Sequence, residues 1–205
     1  MIIIAVLMLS IALPSTTTNI IIYRQQQEAL AQSNDDDNNN TFKLYENITY
    51  GIKIEYPSNW TIEEEGDEDS DNVTDVVSFF APVRNDSETV TPSLYITIDN
   101  PPLNLIENFN EYLRTTINDY NDDSQDFQVI ESNTNSSTLG GYPAYKLVYT
   151  DVDGDNINYK DMEIGTIIGD KVYLVTYDAA EEEYSVYLPA VQKMIDSLKI
   201  TTSNN

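Results

Sequence analysis

The sequence predicts an α+β domain: an antiparallel β-sheet flanked by two helices. Three observations carry this. Short segments alternate apolar and polar residues, as in Ile52-Lys53-Ile54-Glu55-Tyr56 and Leu94-Tyr95-Ile96-Thr97-Ile98, the period of half-buried strands. Turn residues separate these segments at short intervals. Only two stretches, 104–121 and 181–197, carry helical spacing over any length. Strands joined by short turns, with two helices outside, make an antiparallel sheet covered by helices.

The elements follow in order. Phe42 to Tyr45 is a first short strand or lead-in. Ile52 to Tyr56 is a strand that Pro57-Ser58-Asn59 ends, because proline cannot donate to a ladder. Trp60, the only tryptophan, opens a second short strand to Glu64 and is expected to pin the turn to the core. Glu63 to Asp71 is acidic and reads as an exposed loop. In the strand Val73 to Ala81, Val77 and Phe79 share one face, so Val76 and Phe80 require a slip or bulge. Arg84 to Thr91 is a polar hairpin loop, and Ser93 to Asp99 a strand with Leu94, Ile96 and Ile98 inward.

Asn104 is the expected cap of the first helix, with Glu107 three residues on as in a capping box. Its stripe is Ile106, Phe109, Leu113 and Ile117, flanked by Tyr112, Thr116 and Tyr120. Strands follow at 127–132, 144–150 and 157–168, with a polar loop at 133–138 and a close approach at Gly140-Gly141. Gly169-Asp170 is a two-residue hairpin turn that returns the chain as a strand over 172–177. Pro189 is expected to split the second helix, whose stripe is Val191, Met194, Ile195 and Leu198. Lys199 to Asn205 reads as a tail.

Ile2 to Leu13 is apolar except for Ser10, too short for a membrane span. Ala29-Leu30-Ala31 has the small-x-small pattern of a signal-peptidase site. Residues 1–31 therefore read as a secretory signal, or as an uncleaved anchor if the two apolar runs act together to Tyr23. Residues 32–41 form an acidic, Asn-rich linker without the apolar residues a core needs. Residues 42–200 are the domain and 201–205 a tail. The expected compartment is extracytoplasmic: secreted or held at the cell surface.

The 205 residues carry 35 acids, 10 bases and a formal net charge of −25. That field repels nucleic acid and anionic membrane surface, and attracts cations and basic partners. Membrane contact is expected only through an uncleaved N-terminus or a partner. There is no cysteine and no histidine, which removes thiol nucleophiles, disulfides, His-based triads and imidazole or thiolate metal ligands. The 15 tyrosines suit sheet surfaces that are apolar at the root and wet at the tip.

Four blocks, taken together and in this order, carry a family resemblance. They are Tyr50-Gly51-Ile52-Lys53-Ile54-Glu55-Tyr56-Pro57-Ser58-Asn59-Trp60, Leu139-Gly140-Gly141-Tyr142-Pro143-Ala144-Tyr145-Lys146, Asp170 to Tyr177, and Met194 to Ile200. Over about residues 45–200 the chain resembles the PsbP-like family, most distinctively in the G-x-x-x-x-Y-P-x-x-W pattern from Gly51 to Trp60. The resemblance implies the fold shared by PsbP and Mog1, an antiparallel sheet between helices. The family's namesake is an extrinsic, lumenal subunit of the photosystem II oxygen-evolving complex that helps retain calcium and chloride. Related domains are secreted or lipid-anchored prokaryotic proteins. This chain lacks a match to the basic, histidine-containing segment by which the plant protein docks, so no functional residue carries over.

Asp151, Asp153 and Asp155 alternate around Gly154, an arrangement that hard-cation loops use. The glycine falls one step early for an EF-hand, so the competing reading is an acidic hairpin tip. Calcium is the only cofactor the sequence suggests. Asp67-Glu68-Asp69 with Asp71 is a second acidic cluster, read as a solvated loop. N-x-S/T sequons stand at Asn39, Asn47, Asn59, Asn72, Asn85 and Asn135, each expected in a loop or linker, with burial beside Trp60 the obstacle at Asn59. No pattern points to a catalytic residue. The expected function is a non-catalytic binding or assembly module at the cell envelope with a protein partner. A calcium-binding acidic surface protein is the alternative, and an enzyme a remoter one.

Overall fold

A computed structural model describes residues 41–64, 73–83 and 90–201, without the side chain of Asn135. The expected signal, linker, second acidic cluster, polar hairpin loop, and the sequons at Asn39, Asn72 and Asn85 fall wholly or mostly outside these residues. The described chain holds ten strands and two helices. They are β1 (Phe42–Asn47), β2 (Ile52–Pro57), β3 (Thr61–Glu64), β4 (Val73–Phe80), β5 (Ser93–Asp99), α1 (Phe109–Asp123), β6 (Gln125–Leu139), β7 (Tyr142–Val152), β8 (Asn158–Ile168), β9 (Lys171–Ala180), α2 (Glu181–Ser197) and β10 (Lys199–Ile200).

Two antiparallel sheets result. A seven-stranded sheet runs β3-β4-β5-β9-β8-β7-β6, and a three-stranded sheet runs β1-β2-β10. Alternation along each strand divides the side chains of the large sheet between its faces. On one face Leu94, Ile96, Ile98, Met162, Ile164, Val175 and Tyr177 pack with the small sheet and with Val191, Met194 and Ile195 of α2. On the other, Tyr145, Leu147, Tyr149 and Val172 pack with Tyr112 and Leu113 of α1. This is the α+β sheet-and-helix architecture the alternation predicts.

Trp60 is buried and meets Tyr187 of α2 edge-on at 6.2 Å. Its N–H closes the turn onto the Pro57 carbonyl at 3.0 Å, so β3 starts one residue later than the sequence suggests. The β4 bulge lies between Asp75 and Val77, which lets both Val76 and Val77 be buried.

Four expectations are corrected. The cap of α1 is Asn108, not Asn104: its Oδ1 accepts the Glu111 N–H at 2.9 Å from extended backbone. The preceding residues are spent in turns closed by Leu105 N–H to Pro102 O and Ile106 N–H to Leu103 O. The loop at 133–138 is instead strand, because the β6–β7 hairpin continues through Ser137, Thr138 and Leu139 to the turn at Gly140-Gly141. Pro189 does not split α2, which runs unbroken. Pro189 is on the exposed face, so water can serve the carbonyl that lost its donor. The tail contributes β10: Ile200 pairs with Ile52, and Thr201 N–H donates to Gly51 O at 2.8 Å.

Candidate functional site

The helix α1 covers the β6–β7 side of the large sheet. Beside it, across β5, β9 and β8, a cleft of about 540 Å³ lies open on the same face. Its acidic lining is Asp75, Asp151, Asp153, Asp161, Glu163 and Asp178. Its aromatic lining is Tyr95, Tyr120, Tyr149 and Tyr159. Among the described residues that line it there is no lysine or arginine.

Strand periodicity places these groups. On β8, Asp161 and Glu163 alternate with Met162 and Ile164, which enter the core on the α2 side. The acids must therefore face the α1 side. Asp161 pairs across the ladder with Asp178 of β9, which in turn pairs with Ser93 at the start of β5. Two carboxyls are thus brought side by side on adjacent central strands.

Asp161 is only 6% exposed. Its Oδ1, like Oδ1 of Asp178, is covered and receives no hydrogen bond from any other residue, which leaves the two carboxyls to each other. The other Asp178 oxygen accepts the Tyr95 hydroxyl at 2.8 Å. Burial, then the repulsion of Asp178, pushes the Asp161 carboxyl up to about 9. Burial also raises Asp178, against the opposing bond from Tyr95. Two carboxyls so placed hold a proton between them at neutral pH.

Glu163, 2% exposed, is served differently. Its Oε2 accepts the Tyr120 hydroxyl at 2.6 Å, and its Oε1 accepts the Tyr145 hydroxyl. Burial raises its carboxyl and these two donors oppose the rise. Tyr112 donates likewise to Asp99 at 2.8 Å. Phenol–carboxylate bonds therefore fasten α1 to the sheet along the edge of the cleft.

The cation candidates from the sequence divide. Asp151 and Asp153 line the cleft, and Asp155 does not. Asp153 Oδ1 accepts the N–H groups of Asp155 and Ile157, both at 2.9 Å, and so organises its own turn. Among the described residues no group of three or more acidic side chains is arranged to hold a metal ion. Of the sequons, Asn59 is exposed in its turn. Asn47 ends β1 half-buried, its Oδ1 accepting the Tyr50 N–H at 3.2 Å. Asn135 lies within β6 rather than in a loop.

Sequence reasoning missed the cleft. The available signal was two acids at alternate positions in a strand whose intervening residues, Met162 and Ile164, are apolar. In a strand buried on both faces, such acids stand opposite the core.

Two helices on opposite faces of a mixed-size pair of antiparallel sheets define the class of the PsbP and Mog1 folds. A family profile described as PsbP-like protein matches residues 1–200, and the chain belongs to that family. Solved structures agree on the fold. Cyanobacterial PsbP (CyanoP) from Synechocystis sp. PCC 6803 is 18% identical, with a TM-score of 0.56 over 78% of this chain and 93% of that one. LpqN of Mycobacterium tuberculosis, described as involved in cell envelope biogenesis, is 13% identical with a TM-score of 0.55, over 84% and 97%. The Saccharomyces cerevisiae Ran-binding protein Mog1p is 8% identical with a TM-score of 0.50, over 78% and 95%. Comparison with curated proteins finds no match.

Proposed function

We propose that this chain is a non-catalytic PsbP-like module that works outside the cytoplasm and binds a protein partner through the tyrosine–carboxylate cleft. The observation that carries this is the cleft itself. Beside α1 the same face of the large sheet is left open as a cleft that gathers carboxyl and phenol groups, as binding sites gather polar groups. The apolar N-terminal run with Ala29-Leu30-Ala31 supports the compartment, as does the cell-envelope role named for LpqN.

The test is site-specific photo-crosslinking of the full chain in its native cells, with the probe at Thr97 or Thr176 in the cleft and at exposed Glu182 on α2 as control. An adduct formed only from the cleft, in the extracytoplasmic fraction, is expected. Equal adducts from all positions, or a chain retained in the cytoplasm with Met1 at its N-terminus, would overturn the reading.

A second reading, a calcium-binding acidic surface protein, draws on the presence of Asp151 and Asp153 at the cleft. A melt with and without millimolar calcium at fixed ionic strength tests it. A calcium-dependent rise that vanishes in Asp153→Asn with Asp155→Asn supports a site at this turn. An equal rise in both proteins indicates diffuse screening of the acidic chain.

A further inference from the structure

We propose that the cleft takes an alkylammonium group, seated among its tyrosine rings against the paired carboxyls of Asp161 and Asp178. This rests on the cleft being the binding surface and names the chemistry it recognises. Three independent features point the same way. The six carboxyl side chains of the lining face no cation among the described lining residues. Asp161, more than nine-tenths buried, and Asp178 beside it each have an oxygen that receives no N–H or O–H from any other residue, so that only the proton they share joins them. Tyr95, Tyr120, Tyr149 and Tyr159 line it with aromatic rings, whose quadrupoles attract cations.

An alkylammonium satisfies all three. Its N–H groups, three in number, fill acceptors that the fold leaves unserved. Its methylenes lie against the rings. A bare divalent metal would need an oxygen cage that no group of described acids provides. The positive charge stands where the pair otherwise holds a proton, so entry of the ammonium drives that proton off one carboxyl into solvent. The other titratable groups that line the cleft are the carboxyls of Asp75 on β4, Asp151 on β7, Asp153 in the turn after β7 and Glu163 on β8, and the phenols of Tyr95 on β5, Tyr120 on α1, Tyr149 on β7 and Tyr159 on β8. None of them supplies a competing cation.

The ammonium can come from a free amine or from a lysine side chain of a partner protein. Titration calorimetry on the full chain distinguishes them, with butylammonium chloride in one arm and a blocked Gly-Gly-Lys-Gly-Gly peptide in the other. Each arm is run at constant ionic strength in two buffers of different ionisation enthalpy. Saturable binding with proton release is expected, tightening by up to about tenfold per pH unit between pH 6 and 8. Tighter binding of the peptide than of the amine assigns the source to a partner's lysine; the reverse assigns it to a free amine. Asp161→Asn with Asp178→Asn is expected to weaken binding at least tenfold and to abolish the proton release. Asp196→Asn, an exposed acid on α2, is expected to change nothing.

Circular dichroism confirms that the isosteric double variant is folded. Equal binding by all three proteins, or non-saturating uptake that salt removes, would mean attraction to the net charge and would overturn the proposal. An absence of binding in both arms overturns it too. If a cleft-specific crosslink is still formed in that case, the binding-module reading stands and only the ammonium assignment falls.

Discussion

Glu163 shows how one side chain sets the conditions for several others. Its carboxyl lies under the α1-side layer and receives two phenols, from Tyr145 on the neighbouring strand and Tyr120 on the helix. Tyr145 reaches it by lying across Gly165, its ladder partner. A Cβ at position 165 would collide with the Tyr145 ring. The ring is fully buried and held by its hydroxyl, so it has nowhere to retreat. Gly165→Ala is therefore expected to lose about 1–3 kcal/mol, as overpacked cores do, measured as a fall in the denaturation midpoint. Tyr145→Phe removes a donor and leaves Glu163 Oε1 unserved, at a cost of about 1–3 kcal/mol. Trp60→Ala is expected to lose about 3–5 kcal/mol, the usual loss for a buried large aromatic. A midpoint equal to the parent's would show that Trp60 is not the anchor its packing on Tyr187 makes it.

At the level of the element, α1 tests which signals in a sequence are local. Its apolar stripe of Phe109, Leu113 and Ile117 is readable in the sequence and lies, with Ile106 from the turn before the helix, in the cluster under it. Its start is not readable. Asn104 and Asn108 each stand three residues before a glutamate, so composition offers two equivalent caps. The choice falls to turns at 102–106, which depend on where Pro101-Pro102 release the chain. Asn108→Ala is expected to cost about 1 kcal/mol and to speed amide exchange in the first turn of α1. Asn104→Ala is expected to leave both unchanged. The strands were legible where alternation is strict, as in β5. They were obscured in β6, where three register shifts break the period. The cleft escaped notice for a related reason: its members come from β4, β5, α1, β7, β8 and β9, and no window of sequence contains more than a few of them.

For the molecule as a whole, the buried acids fix how stability responds to pH. Burial, then the Asp178 carboxyl beside it, pushes Asp161 from its ordinary 3.8 up to about 9 in the folded chain. The folded state thus keeps a proton that the unfolded state has given up. Its contribution is complete below the ordinary value and is lost as pH rises through the folded one. Repulsion within a chain of 35 acids and 10 bases acts in the same direction. The melting temperature is expected to fall between pH 5 and pH 9. Asp161→Asn should flatten that fall and raise stability at pH 8 by about 1–3 kcal/mol. A parallel curve in the variant would assign the whole slope to surface repulsion. High salt separates the two terms further, since it screens exposed charges and hardly reaches a buried pair.

The three-stranded sheet has an implication for the order in which the chain can assemble. Its middle strand, β2, is bordered on one side by β1 and on the other by β10, so residues near the beginning of the domain await residues near its end. A polypeptide that emerges from a ribosome or a translocation pore N-terminus first presents β2 with one ladder edge bare until Ile200 arrives. Ile200 also fills the space above Gly140, so the β6–β7 turn stays uncovered for the same interval. Such late, sequence-distant closure slows folding and lengthens the time an open strand edge is available to neighbours. Deleting residues 199–205 would make that interval permanent, and the expected readout is aggregation of a protein that still shows β-structure by circular dichroism.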